Sequence, residues 1–209
     1  MSRNILTLVS FLILALATPV VAQQQQQDDQ EIKKILNDVL GPKRAGQTQP
    51  IPEKRKFNHK IKIETKYDRF SNSTDVQMEH TEVYHVHGSR PQKISMTVLF
   101  TYPGETPAKP GSVTIAFNSW APEWKYLRYR DLTILADGRK AGPVTMELIN
   151  TRIERDGTVT ETLSTTMVTD VFLFMVNASS VEMQLGDAEF TLKPEHLEAL
   201  RDLASRMQP

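Results

Sequence analysis

The sequence predicts a mainly β fold, an antiparallel β-sandwich or partly open barrel with a short N-terminal helix and a C-terminal helix. Three observations carry this expectation. From Phe57 onward, apolar residues recur at every second position in one segment after another. Two Asp-Gly pairs, Asp137-Gly138 and Asp156-Gly157, fall between such segments, where hairpin turns belong. Alternating strand–helix–strand units are missing, which argues against a doubly wound parallel sheet.

The chain opens with Arg3 and an apolar run from Ile5 to Ala17, interrupted by Thr7 and Ser10. Thr18-Pro19-Val20-Val21-Ala22 comes next, ahead of the glutamine tract Gln23 to Gln27. This is the layout of a cleaved secretory signal peptide. Signal peptidase needs small side chains at −3 and −1. Val20 and Ala22 occupy those places, so cleavage is expected between Ala22 and Gln23. The apolar run is short of the roughly 20 residues that a spanning helix requires. No Cys comes after it to carry a lipid, because the chain has none. No later apolar run is long enough to span either. The expectation is an exported chain, periplasmic or extracellular, with no transmembrane segment after signal cleavage.

Three regions are expected: a signal peptide over 1–22, a tether over 23–56 and a β-rich globular domain over 57–209. Within the tether, Ile32, Ile35, Leu36, Val39 and Leu40 form one helical stripe, which predicts an amphipathic helix over 29–40. Asp28 or Asp29 caps its start and Gly41-Pro42 stops it. Its stripe packs either on the domain or on a partner. Gly41 to Lys56, with Pro42, Gly46, Pro50 and Pro52, reads as a linker.

The strands then come in order. Ile61, Ile63, Thr65 and Tyr67 alternate with Lys62, Glu64 and Lys66. A second alternation begins at Val76 and Met78 and runs through Val83 to His87. Ile94, Met96, Val98 and Phe100 mark a third strand, and Val113, Ile115 and Phe117 a fourth. A type I′ turn needs positive φ at both central residues, which Asp-Gly tolerates, so hairpins are expected at Asp137-Gly138 and Asp156-Gly157. Thr169 is expected to cap a short helix through Phe172, Met175 and Val176. A last hairpin spans Val181 to Leu185 and Glu189 to Leu192, turning at Gly186-Asp187. Pro194 suits the first turn of a final helix, because its missing N–H would be unpaired there anyway. Leu197, Leu200, Ala204 and Met207 give that helix its apolar stripe, with Glu195, Glu198, Arg201 and Asp202 facing out.

Charge and composition narrow the function. The chain has 25 basic and 25 acidic residues, and a balanced chain offers no case for nucleic acid. Without Cys there is no thiol catalysis and no cysteine-ligated zinc; the absence also favours a bacterial envelope protein over a eukaryotic secreted one. No nucleophile elbow, no His-Glu-x-x-His and no phosphate-cradling glycine loop is present, and no cofactor is implied.

Two clusters remain as candidates. His85 and His87 lie two apart on a strand, so both imidazoles point to one face, where they suit Zn²⁺ or Cu²⁺. Glu79, His80 or Glu82 would add a ligand, but His80 faces the other side of an unbulged strand. The alternative is a solvated polar edge. The second cluster is Trp120, Trp124, Tyr126 and Arg128, with Lys125, Tyr129 and Arg130 interleaved. Aromatic faces stack on sugar C–H surfaces, and arginine hydrogen-bonds hydroxyls or phosphates. Here the structural alternative is that Tyr126, Arg128 and Arg130 occupy one face of a strand, Leu127 and Tyr129 the other, with half of the set in the core. Trp120 and Trp124 would then flank Pro122 in a loop.

Leu132 to Lys140, Val181 to Gly186, Glu189 to Leu192 and Leu197 to Ala204 together resemble a pattern of uncharacterised exported bacterial proteins. The resemblance covers the last third of the chain. It implies an envelope location and a β-rich domain, and it carries over no functional residue. The leading expectation is a non-catalytic binding or interaction module of the envelope, with an envelope protein or a glycan as partner. The alternative is a metal-dependent or hydrolytic enzyme on the same β-sandwich.

Overall fold

The structure is a computed structural model describing residues 49–141 and 144–208. The signal peptide, the Ala22–Gln23 cleavage site, the glutamine tract and the helix expected over 29–40 lie outside these residues. The described chain begins with β1 (Ile63–Asp68), β2 (Ser73–Val86), β3 (Gln92–Pro103) and β4 (Ser112–Ala121). Next come β5 (Asp131–Ala136), β6 (Arg139–Lys140), β7 (Val144–Thr145), β8 (Glu147–Ile153) and β9 (Val159–Val168). Helix α1 (Thr169–Val176), β10 (Val181–Leu185), β11 (Ala188–Thr191) and helix α2 (Pro194–Ser205) complete it.

The strands make two antiparallel sheets that do not close into a barrel. The larger has the order β1-β2-β3-β4-β9-β8; the smaller has β11-β10-β5-β6, with β7 also on β5. Alternation explains the burial. On β4, Val113, Ile115 and Phe117 are fully buried and the residues between them are half-buried. The sheets meet through Phe190 of β11, whose ring lies 5.9 Å from Tyr84 and 6.2 Å from Phe117 of the larger sheet. Helix α1 is buried from Val171 to Val176 and packs on β4, β9 and β5, while α2 packs on β2 and α1. The expected stripe Leu197, Leu200, Ala204 and Met207 is buried, and each large apolar member contributes about 1.5–3 kcal/mol.

Several local expectations are corrected. Asp137 and Gly138 both have positive φ, at 49° and 72°, as a type I′ turn requires. At the second pair only Gly157 does, at 84°. Gly157 N–H donates to Glu154 O and Glu154 N–H to Thr158 O, so this hairpin uses a three-residue loop with a glycine bulge. Asp156 Oδ1 instead accepts the Thr158 N–H at 2.9 Å. Thr169 does not cap α1: it is the first helical residue, and its hydroxyl donates to Pro110 O at 2.7 Å. Residues 126–130 are a loop, not a strand, so the assignment of Tyr126, Arg128 and Arg130 to one strand face fails.

The polar side of α2 is also less open than expected. Residues 49–61, which include the end of the expected linker, lie along the helices. Arg55 pairs with Glu198 at 2.9 Å, and His59 Nε2 lies 3.2 Å from Asp202 Oδ2. Arg201 turns inward to donate to Val176 O and Ala178 O, satisfying carbonyls at the end of α1. Glu195 stays exposed.

Candidate functional site

The larger sheet buries one face and opens the other. Register sets what the open face presents. Glu82 pairs with Ser95, Ser95 with Asn118, Asn118 with Thr162 and Thr162 with Asn150. One step along, His85 pairs with Lys93, Lys93 with Trp120, Trp120 with Thr160 and Thr160 with Arg152. Two adjacent rows therefore cross five strands, from β2 to β8. All of these residues but His85 line an open groove of about 490 Å³ whose border includes His80. A second hollow of about 320 Å³ shares Lys93 and Trp120 and reaches the Asp156–Thr158 turn.

Trp120 is the aromatic centre of this face, with Lys93 Nζ 5.4 Å from its ring centroid. Glu82 Oε1 lies 3.2 Å from His85 Nδ1, and Glu82 Oε2 lies 3.6 Å from Lys93 Nζ. Partial burial pushes the Glu82 carboxyl up, but the His85 hydrogen bond and the neighbouring positive charge pull it further down, below its ordinary range. Arg152 is held by Glu154 at 2.6 Å. Asn118 Oδ1 accepts the Thr162 hydroxyl at 2.7 Å, and Asn118 Nδ2 lies 3.2 Å from His80 Nδ1. On the groove floor Ser95 is 4% exposed, and its Oγ has no hydrogen-bond partner among the described residues.

The histidines are arranged differently from the sequence expectation. Two bulges interrupt β2, between Met78 and Thr81 and between Glu82 and Tyr84. Each inserted residue reverses the facing of those beyond it. His80, Glu82 and His85 consequently share the open face. The His85 and His87 rings lie 3.9 Å apart between centroids. Among the described residues, no group of three or more His, Cys, Asp or Glu side chains is placed to hold a metal ion.

The aromatic–basic set is divided. Trp120, the penultimate residue of β4, joins the groove; Trp124 and Arg128 are exposed in the β4–β5 loop; Tyr126 is fully buried. Tyr126 Oη accepts from Gln92 Nε2 at 2.8 Å, and burial raises its phenol far above the ordinary value. Glu161, 1% exposed, accepts Lys125 N–H at 2.8 Å and Tyr126 N–H at 2.9 Å. This buried polar cluster anchors the loop that carries the chain from one sheet to the other. Sequence reading missed Ser95, Asn118, Asn150 and Arg152 of the groove. Each is an ordinary outward residue of its strand, and only register groups them. Neither a protein-family model, nor a curated protein, nor a solved structure matches this chain.

Proposed function

We propose that the chain is an exported, non-catalytic binding module of the bacterial envelope whose ligand lies across the open face of the larger sheet. The carrying observation is the pair of cross-strand rows that brings Trp120, Lys93, Glu82, Asn118, Asn150 and Arg152 into one groove. A rigid sheet holds such side chains in fixed relation without a loop having to order on binding. A binding role is favoured over glycoside cleavage because Glu82 is the sole carboxylate among the described residues lining the larger groove, and that chemistry uses a pair. Export rests on the layout of residues 1–22.

The test uses the chain made in a bacterial host and fractionated. The envelope fraction should yield a protein beginning at Gln23; a full-length cytoplasmic product would refute export. Purified 23–209 should then cosediment with host envelope material, and Trp120→Ala should weaken that association at least tenfold while leaving the urea midpoint near wild type. A wild-type protein that stays in the supernatant, or a Trp120→Ala variant that sediments equally, would refute the binding assignment.

A further inference from the structure

We infer that the groove takes an uncharged oligosaccharide chain; the inference rests on the binding reading above and names its ligand class. Ser95 supplies the first reason. A hydroxyl buried to 4% exposure without a partner carries a desolvation cost. Ser95 borders the groove floor with its Oγ closed off by neighbouring atoms, so the hydroxyl gains a partner when a ligand hydroxyl seated above it is met by a turn of the Ser95 side chain. The second reason is the balance of donors and acceptors. Asn150 offers both, Arg152 and Lys93 donate, and Glu82 accepts. Sugar hydroxyls need such a mixture, because each is donor and acceptor at once.

Charge excludes the nearest competitors. A phosphate or carboxylate ligand would call for surplus positive charge, but Lys93 is answered by Glu82 and Arg152 by Glu154. A lipid chain would call for an apolar lining, and Trp120 is the one large apolar side chain among the described groove residues. A single indole set among polar groups suits the apolar C–H face of a pyranose ring. Shape supplies the last reason. The two hollows meet at Trp120 and Lys93, so the open face continues past the indole towards the Asp156–Thr158 turn. A linked chain, with one ring on Trp120 and neighbours on either side, fits that continuity better than one compact molecule.

The experiment titrates purified 23–209 by calorimetry with tetrasaccharides of glucose, galactose, mannose and N-acetylglucosamine, and with tetragalacturonate. At least one neutral tetrasaccharide should bind. Trp120→Ala and Asn150→Ala should each weaken it at least tenfold, and Trp120→Phe should restore part of the affinity. Circular dichroism of each variant confirms that it has folded. Binding of tetragalacturonate alone, or neutral binding unchanged in Trp120→Ala, would overturn the inference. If no saccharide binds while Trp120-dependent envelope cosedimentation persists, the saccharide assignment falls and the binding module stands. Loss of both overturns both.

Discussion

A carboxylate out of reach of water is tolerated where its charge is answered. Glu161 meets this condition through two backbone N–H groups, from Lys125 and Tyr126. Glu161→Ala leaves the buried Tyr126 N–H and the half-buried Lys125 N–H unpaired, and should lower unfolding stability by about 2 kcal/mol. Glu161→Gln keeps one acceptor oxygen and should cost less; urea titration of both variants measures the difference. His196 offers a second test, through pH. Burial pushes its imidazole below the ordinary 6.5, against the pull of Glu195, with Lys193 adding to the depression. Its Nδ1 accepts the Lys193 N–H at 3.3 Å, which favours the neutral ring. Below 6.5 the unfolded chain takes up a proton there that the folded chain refuses. Stability therefore falls as pH drops through 6.5 towards the lower folded value, and is fully present above 6.5. Urea midpoints measured from about pH 7.5 to about pH 5 should decline in wild type and flatten in His196→Gln.

At the scale of elements, the two Asp-Gly pairs separate what sequence discloses from what it withholds. Both were legible as hairpins, because few other dipeptides tolerate the required φ. The type I′ turn was legible at Asp137-Gly138 but not the bulged loop at Asp156-Gly157, because loop length depends on how the flanking strands pair. Asp137 does more than turn: its Oδ1 accepts N–H groups from Ser179 and Ser180 at 2.9 and 3.0 Å, fastening the β5–β6 turn to the start of β10. Asp137→Ala loses those bonds and keeps the positive φ without the Asp preference, which should cost about 2 kcal/mol by thermal or urea unfolding. Asp156→Ala should cost less, since Asp156 does not have positive φ and accepts one exposed N–H. Strand β2 shows a different limit. Its alternation was plain, but its two bulges are properties of pairing with β3, so His80 was read onto the wrong face. Pro194 and the stripe of α2 were readable because capping and helical period are local. The docking of residues 49–61 on that helix is not local, and most of those residues read as linker.

At the scale of the molecule, the sequence suggested hairpins in series, whereas β4 pairs with β9 and β5 with β10. The chain leaves the larger sheet after Ala121, crosses by the loop anchored on Glu161, and returns to it at Glu147. Partners that far apart leave no periodic trace, so the sheets' membership was out of reach, and with it the groove, which exists only once register is set. Trp120 was identified from the interleaving of aromatic and basic residues, but the structural alternative placed it in a loop, because Pro122 masks how far β4 extends. The open face has one more consequence. Side chains on these strands alternate between the core and the groove, so an outward residue is changed without altering the packing of its inward neighbours. Selection acting on ligand preference and selection acting on folding thus fall on separate sets of positions. Lineages of such a protein are free to diverge in what they bind while the scaffold beneath stays the same.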